Sequence, residues 1–331
     1  MKDDGHAAKF VRAAKSAEDI CQRFEQQDPA AFPMTGEAWL QLSRMSYDST
    51  LGLPDLDKAP APVKPKTFPS FTKEYRKTAY DALDPTLPAL SAEDKSIAVT
   101  GDGSGIGAAT ALRLSQAGAS SISIIGRRAN NLESTRSNTE SLVPGAQVYT
   151  SDVAQKDAMN ATFKAIHDHV GEIHVLVNNA GYKPTVAPAV SAIKDLDVEE
   201  WWRCFEVNIK GSFLASQSFL QYKSTDAVVL YVTTALSHFT GFPSHSSYSS
   251  SKAGAVRVFS TLQAEHPELR VVCVHLGVIN TAGKVSGAKQ AGEPDDVSLP
   301  AGTMVWLASP KADFLKGKYI WANWDVTSLA S

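Results

Sequence analysis

The chain has 331 residues, 43% of them hydrophobic and 20% charged, with 32 basic side chains against 35 acidic ones and a net charge of −3. That supplies a substantial core, and a balance so near neutral excludes a polybasic footprint for nucleic acid or a membrane surface. Cys21, Cys204 and Cys273 are odd in number and show no C-x-x-C spacing, so buried free thiols in a reducing compartment are expected.

The start, Met-Lys-Asp-Asp-Gly-His, has no signal-peptide core, and no run nears the ~20 apolar residues of a membrane span. The expected location is therefore cytoplasmic. Residues 1–58 carry two short helix-like patterns, one through Phe10, Val11, Ala14, Ile20, Cys21 and Phe24 and one through Trp39, Leu40, Leu42 and Met45. Residues 59–91 begin as a proline-rich extended linker and continue as an arm bearing Phe71, Tyr75, Tyr80, Leu83 and Leu87, expected to pack on the surface of the main domain.

Residues 92–331 form that expected main domain. Short β-branched runs at 96–100, 121–125, 147–150, 174–177, 228–232 and 270–275 alternate with longer amphipathic stretches, and a last strand is expected near 318–321. Strands apolar on both faces and joined by helices imply an α/β fold with one doubly wound parallel sheet, behind the N-terminal helical extension. Residues 282–298 are polar and non-periodic and read as a loop.

The first strand runs into Thr-Gly-Asp-Gly-Ser-Gly-Ile-Gly at 100–107, followed by helical residues 108–117. Strand, glycine turn, helix is the order that lets a helix N-terminus face a pyrophosphate. Gly101 allows the turn, Gly105 lets backbone approach the phosphates, and Gly107 lets the helix pack close to the sheet. Gly101, Ser104, Gly105, Ile106 and Gly107 are the expected phosphate-side contacts. About 20 residues on, where an acidic side chain would hold a ribose 2′-OH, stand Gly126, Arg127 and Arg128. Guanidinium in place of carboxylate favours a 2′-phosphate at Arg127, while Asp102 inside the turn would favour a free ribose hydroxyl.

Further on come Asn178-Asn179-Ala180-Gly181, then Asn208, then Tyr248-Ser-Ser-Ser-Lys252. In this order the motifs resemble the short-chain dehydrogenase/reductase family over residues 92–326, with phrasing similar to fungal members of secondary metabolism. The resemblance implies a Rossmann-type domain and a nicotinamide cofactor, NADP(H) favoured and NAD(H) possible. It implies that Asp152 and Val153 lie at the adenine, that residues 178–181 form the turn beside the adenine ribose with Asn179 among the contacts, and that Ile279 and Thr281 lie at the carboxamide. The family's proline in that last loop is here Leu276, so a less rigid turn is expected. Asp152 also reads as an ordinary N-cap for a helix from Ala154.

Tyr248 and Lys252 are four apart on an expected helix, 246–264, and so share one face. A phenol with a pKa near ~10 needs a neighbouring cation to act at neutral pH, and Lys252 supplies it. The resemblance assigns Lys252 to the nicotinamide ribose as well, and Asn208 to a water that links Lys252 to solvent. The family's substrate-binding serine falls near Thr234, one residue farther from Tyr248 than usual, and Ser237 is the alternative. His238 and His245 show no metal-ligand spacing. The expected reaction is hydride transfer between NADP(H) and a small-molecule ketone or secondary alcohol. A dehydratase, isomerase or cyclase on the same fold, or a dinucleotide-sensing binding protein, are the alternatives. Tyr182, Phe242 and Trp324 suggest an apolar pocket, and family resemblance implies a homo-oligomer.

Overall fold

Every run expected to be a strand joins one parallel sheet: β1 (Ser96–Thr100), β2 (Ser121–Gly126), β3 (Gln147–Thr150), β4 (Ile173–Asn178), β5 (Lys223–Thr233), β6 (Arg270–His275) and β7 (Tyr319–Trp321), in the order β3-β2-β1-β4-β5-β6-β7. The structure, a computed structural model, describes residues 70–101, 105–184, 193–239, 244–279 and 294–330, all within the compact unit Pro65–Ser331. The patterns within 1–58, the proline-rich linker, Asp102, Ser104, Phe242, Thr281 and most of the loop at 282–298 lie outside the described residues.

Strand geometry sorts the core. In β1, Ile97 and Val99 point to one face and Ala98 to the other, as a period of two requires. One face is covered by α1 (Gly105–Gln116), α2 (Ala129–Glu140) and a late helix, Ser298–Ala308, through Leu114, Leu132 and Val305. The other is covered by α3 (Lys156–Val170), the Ser212–Phe219 helix and the Ser246–Glu265 helix, through Phe163, Phe219 and Phe259. With α4 (Val198–Phe205) preceding them, these late helices are α5 (Ser212–Phe219), α6 (Ser246–Glu265) and α7 (Ser298–Ala308).

β1 lies between β2 and β4, and Thr100 pairs with Ile125 on one side and Asn178 on the other. The chain therefore leaves β1 and β4 in opposite directions across the sheet. A crevice opens at their carboxyl ends, where sheets of this kind bind ligands.

Several boundaries differ from expectation, three of them with a physical reason. Strand β5 begins at Lys223, because its polar start pairs with Ile173 across a register shift and so carries no apolar signal. Helix α2, legible in the sequence as helix over 129–137, continues to Glu140, supported by Arg136, which bridges Glu133 and Glu140 one turn either side. Helix α3 begins at Lys156, not Ala154, with Gln155 at its N-cap. Asp152 instead closes a short turn, its Oδ1 accepting from the Ala154 N–H at 3.0 Å.

The arm does more than cover a surface. Leu83 and Leu90 are 1% and 2% exposed within the main core, and Gly302 of α7 leaves the space that Leu83 fills. Leu87 is exposed, and Phe71, though exposed on one side, packs an edge on the main domain. Trp324 is not a pocket residue: it is buried in the core, stacked with Trp321 at 6.0 Å and edge-on to Phe71 at 4.8 Å. No helix among the described residues is long and apolar enough to cross a membrane.

Candidate active site

The glycine turn is shaped by a side chain from another strand. Asn179, just past β4, donates from Nδ2 to the Thr100 carbonyl at 2.9 Å, while the Thr100 hydroxyl accepts from the N–H groups of Asn179 and Ala180 at 3.1 and 3.0 Å. A Cβ on Gly107 would lie 2.7 Å from that Nδ2 and 3.1 Å from the Gly101 carbonyl. The third glycine thus makes room for Asn179, rather than only for helix against sheet. Gly101 and Gly105 sit at φ +113° and +57°, where a Cβ is strained. Ile106 is partly buried against the core. Asn178 points away from the turn, its Nδ2 donating to the Ser212 carbonyl at 2.9 Å.

The crevice is lined by Gly101, Gly126, Arg127, Ser151, Asp152, Val153, Ala180, Gly181 and Val207. Arg127 is exposed at the end of β2, and Gly126 is buried beside it. From Gly181 the crevice reaches the second half of the site: a Cβ there would come within 3.4 Å of both Lys252 Nζ and Asn208 Oδ1.

Tyr248 and Lys252 stand one turn apart on α6, as their spacing requires. Lys252 is 2% exposed, its Nζ donating to the Val232 carbonyl at 2.8 Å and lying 4.9 Å from the Tyr231 ring centroid. β4 ends opposite Tyr231, which leaves the Val232 carbonyl free of that neighbour. Burial pulls the Lys252 ammonium down to about 8. Desolvation pushes the Tyr248 phenol up to about 12, opposed by a hydrogen bond with the Thr234 hydroxyl.

Thr234 follows β5 directly and caps a 3₁₀ turn at Ala235–Ser237. Ser237 is engaged elsewhere: its hydroxyl meets the Tyr319 hydroxyl at 3.3 Å, and that phenol donates to the Thr234 carbonyl at 2.8 Å. Gly241 and Pro243, which would absorb the extra residue before Tyr248, lie outside the described residues. Ser244 enters α6 at φ +64°.

Asn208 sits in a π turn, Glu206–Gly211, between α4 and α5. Its Oδ1 accepts from Tyr182 N–H at 2.7 Å, and its Nδ2 donates to the Tyr182 carbonyl and to the Ser251 hydroxyl, both at 2.9 Å. The amide therefore ties the segment after Gly181 to α6.

Residues 95–291 match the short chain dehydrogenase family. A short chain dehydrogenase/reductase of Claviceps purpurea is 30% identical over 273 residues, 80% of this chain and 90% of its own. The chain belongs to the short chain dehydrogenase family. A short chain dehydrogenase of Monascus purpureus is 29% identical over 258 residues, 74% of this chain and 87% of that one. A solved short chain dehydrogenase of Burkholderia cenocepacia, in complex with NADP, is 21% identical and shares the fold at a TM-score of 0.65, covering 71% of this chain and 99% of that one.

The crevice of this dehydrogenase fits a dinucleotide. The Ser151 hydroxyl at its wall is buried with no hydrogen-bond partner among the described residues, an orphan that calls for a ligand group or water. Gly101, Gly126 and Gly181 line the crevice without side chains.

Three supports had no local signal in the sequence. Tyr319 holds the Thr234 backbone from 85 residues away, and Ser251 anchors Asn208. Asp295 clamps the loop where Leu276 replaces proline: its Oδ2 accepts from Val278 N–H at 2.8 Å and from Asn323 Nδ2 at 3.1 Å. Ile279 bridges Asp295 in parallel. The turn at Gly277, φ +85°, is thus pinned by hydrogen bonds, in place of the looser turn expected without proline.

Proposed function

We propose that the protein is an NADP(H)-dependent oxidoreductase acting on a ketone/secondary alcohol pair. The observation that carries this reading is that Tyr248, hydrogen-bonded by the Thr234 side chain, stands one helical turn from Lys252, whose ammonium lies beside Gly181 at the inner end of the crevice. Arg127 with Gly126, and the lack of a carboxylate at the end of β2, favour the phosphorylated cofactor. The glycine turn, Arg127, Asp152 with Val153, Asn179, Lys252 and the Ile279 backbone would hold it. Bound there, the nicotinamide supplies a hydride, or accepts one in the reverse direction.

The protein's own residues handle the oxygen. Tyr248 and Thr234 hydrogen-bond the substrate carbonyl, polarising it as negative charge builds on its oxygen. The Tyr248 phenol, protonated at neutral pH, gives its proton to that oxygen and becomes phenolate. The Lys252 ammonium opposes the phenolate charge, and solvent restores the proton. Asn208 fixes the geometry by holding the Tyr182 backbone against α6.

The test is NADPH oxidation against a broad ketone panel, with NADH in parallel. Turnover with NADPH, a product heavier by two hydrogens, and a loss of several hundred-fold or more in Tyr248→Phe with cofactor affinity kept are expected. A Tyr248→Phe enzyme of near-normal rate refutes the assignment.

A further inference from the structure

Lys183 stands over the Tyr248 ring, its Nζ 5.8 Å from the centroid. Its direction is set by its neighbour, because both backbone groups of Tyr182 are held by Asn208. Some described lysines have carboxylate partners: Lys95 with Asp226, Lys164 with Asp168, Lys223 with Glu268. Among the described residues Lys183 has none. The acid beside it, Glu200, is engaged by the Tyr182 hydroxyl and by Arg203 at 3.4 Å, and Arg203 in turn lies over the Tyr182 ring at 4.7 Å.

Desolvation lowers the Lys183 pKa, and no neighbouring charge contributes to the shift. Lys252, the second cation near Tyr248, is turned into the protein toward Val232. An ammonium with no counter-charge among the described residues, placed over the proposed proton donor, is stabilised by an anion that enters.

We infer that Lys183 binds an acidic group of the substrate, so that the preferred ketone carries a carboxylate, or an equally stable anion, a few bonds from the reacting carbonyl. This rests on the reductase reading above. The ammonium makes a charge-assisted hydrogen bond to the acid while Tyr248 and Thr234 hold the ketone oxygen. One end of the substrate then fixes the orientation of the other.

The test compares 3-acetylbenzoate with its methyl ester, as substrates with NADPH and as ligands by calorimetry in the presence of NADP⁺. The wild type should favour the acid in kcat/KM. Lys183→Gln should lower the acid-to-ester ratio about ten-fold, and Lys183→Arg should restore much of it. An unchanged ratio in Lys183→Gln overturns the inference. So does a weaker NADPH affinity in that variant, which would give Lys183 to the cofactor. A shifted pH profile for ester reduction also overturns it, since Lys183 would then act by tuning Tyr248. If no ketone is reduced yet the acid binds in a Lys183-dependent way, the reductase reading fails and the anion site stands. If the ester is reduced with no preference for the acid, the anion site fails and the reductase reading stands.

Discussion

Lys252 sets the pH response of the proposed chemistry. Its ammonium must oppose phenolate charge on Tyr248, and burial has brought it down to about 8, whereas Tyr248 is held up at about 12. Both groups are protonated at pH 7, the form that ketone reduction needs. As pH rises through roughly 8, Lys252 loses its proton first. Reduction measured as kcat/KM for NADPH, which reports the free enzyme, should be level below about pH 7 and decline above pH 8. Lys252→Arg, which keeps its charge, should lose that limb whatever its absolute rate. A profile flat to pH 9.5 in the wild type would remove Lys252 from the role. Thr234 and Ser237 can be separated in the same assay. Only Thr234 reaches Tyr248, while Ser237 is engaged with Tyr319. Thr234→Val should therefore cut kcat roughly a hundred-fold, with NADPH affinity kept, and Ser237→Ala by only a few-fold. The reverse ranking would transfer the second hydrogen bond to Ser237.

The glycine turn shows how one element depends on another some 80 residues further along the chain. Asn179 fills the space that Cβ atoms at Gly101 and Gly107 would occupy, so the turn and the end of β4 form one unit. Gly107→Ala should weaken NADPH binding and lower stability, since neither Asn179 nor the Gly101 carbonyl can withdraw without breaking the Thr100 contact. Asn179→Ala removes the obstacle. The double variant should recover part of the loss, with a coupling of about 1 kcal/mol or more in a denaturation cycle. Strict additivity would mean that the two residues do not meet. This is also the limit of what the sequence discloses. The strands were legible because β-branched runs and helical periods are local signals, and Tyr248 met Lys252 because a four-residue spacing on a helix is itself a contact. Asn179 could be read as part of a motif, but not as the reason for two glycines. The hold of Tyr319 on Thr234 was illegible for the same reason, since it joins the ends of β5 and β7 that only the sheet order brings near, and the Asp295 clamp on Gly277 comes from a loop with no periodic signal. The missing proline at Leu276 reads as a loss of rigidity until the clamp that replaces it is seen in three dimensions.

At the scale of the molecule, the arm and the C-terminus close the sheet through groups that titrate. Asp325 is 2% exposed, pairs with Arg76 at 2.7 Å, and accepts from the N–H groups of Thr327 and Ser328 at 3.0 Å. Burial alone would raise its pKa, but the hydrogen bonds from Thr327, Ser328 and Arg76 outweigh it and hold the carboxyl down to about 2. His275, at the end of β6 and edge-on to Trp321 at 4.6 Å, is brought down to about 3 by burial, with a smaller push from His238. Both depressed values act in one direction, because in each case the unfolded chain binds protons that the folded chain refuses. The contribution of Asp325 is present above about pH 4 and lost as pH falls toward 2. That of His275 is present above about pH 6.5 and is lost progressively down to about 3. Urea midpoints should accordingly be level from pH 8 to 7, fall from about 6.5, and fall faster below 4. Over the His275 window the loss should amount to roughly 3–5 kcal/mol. Asp325→Asn should cost about 2 kcal/mol at pH 7 by leaving Arg76 without its partner, and should flatten the lowest part of the curve. His275→Gln should flatten the part between 6.5 and 4. Wild-type and His275→Gln curves that run parallel across that interval would show that acid reaches the fold by another route.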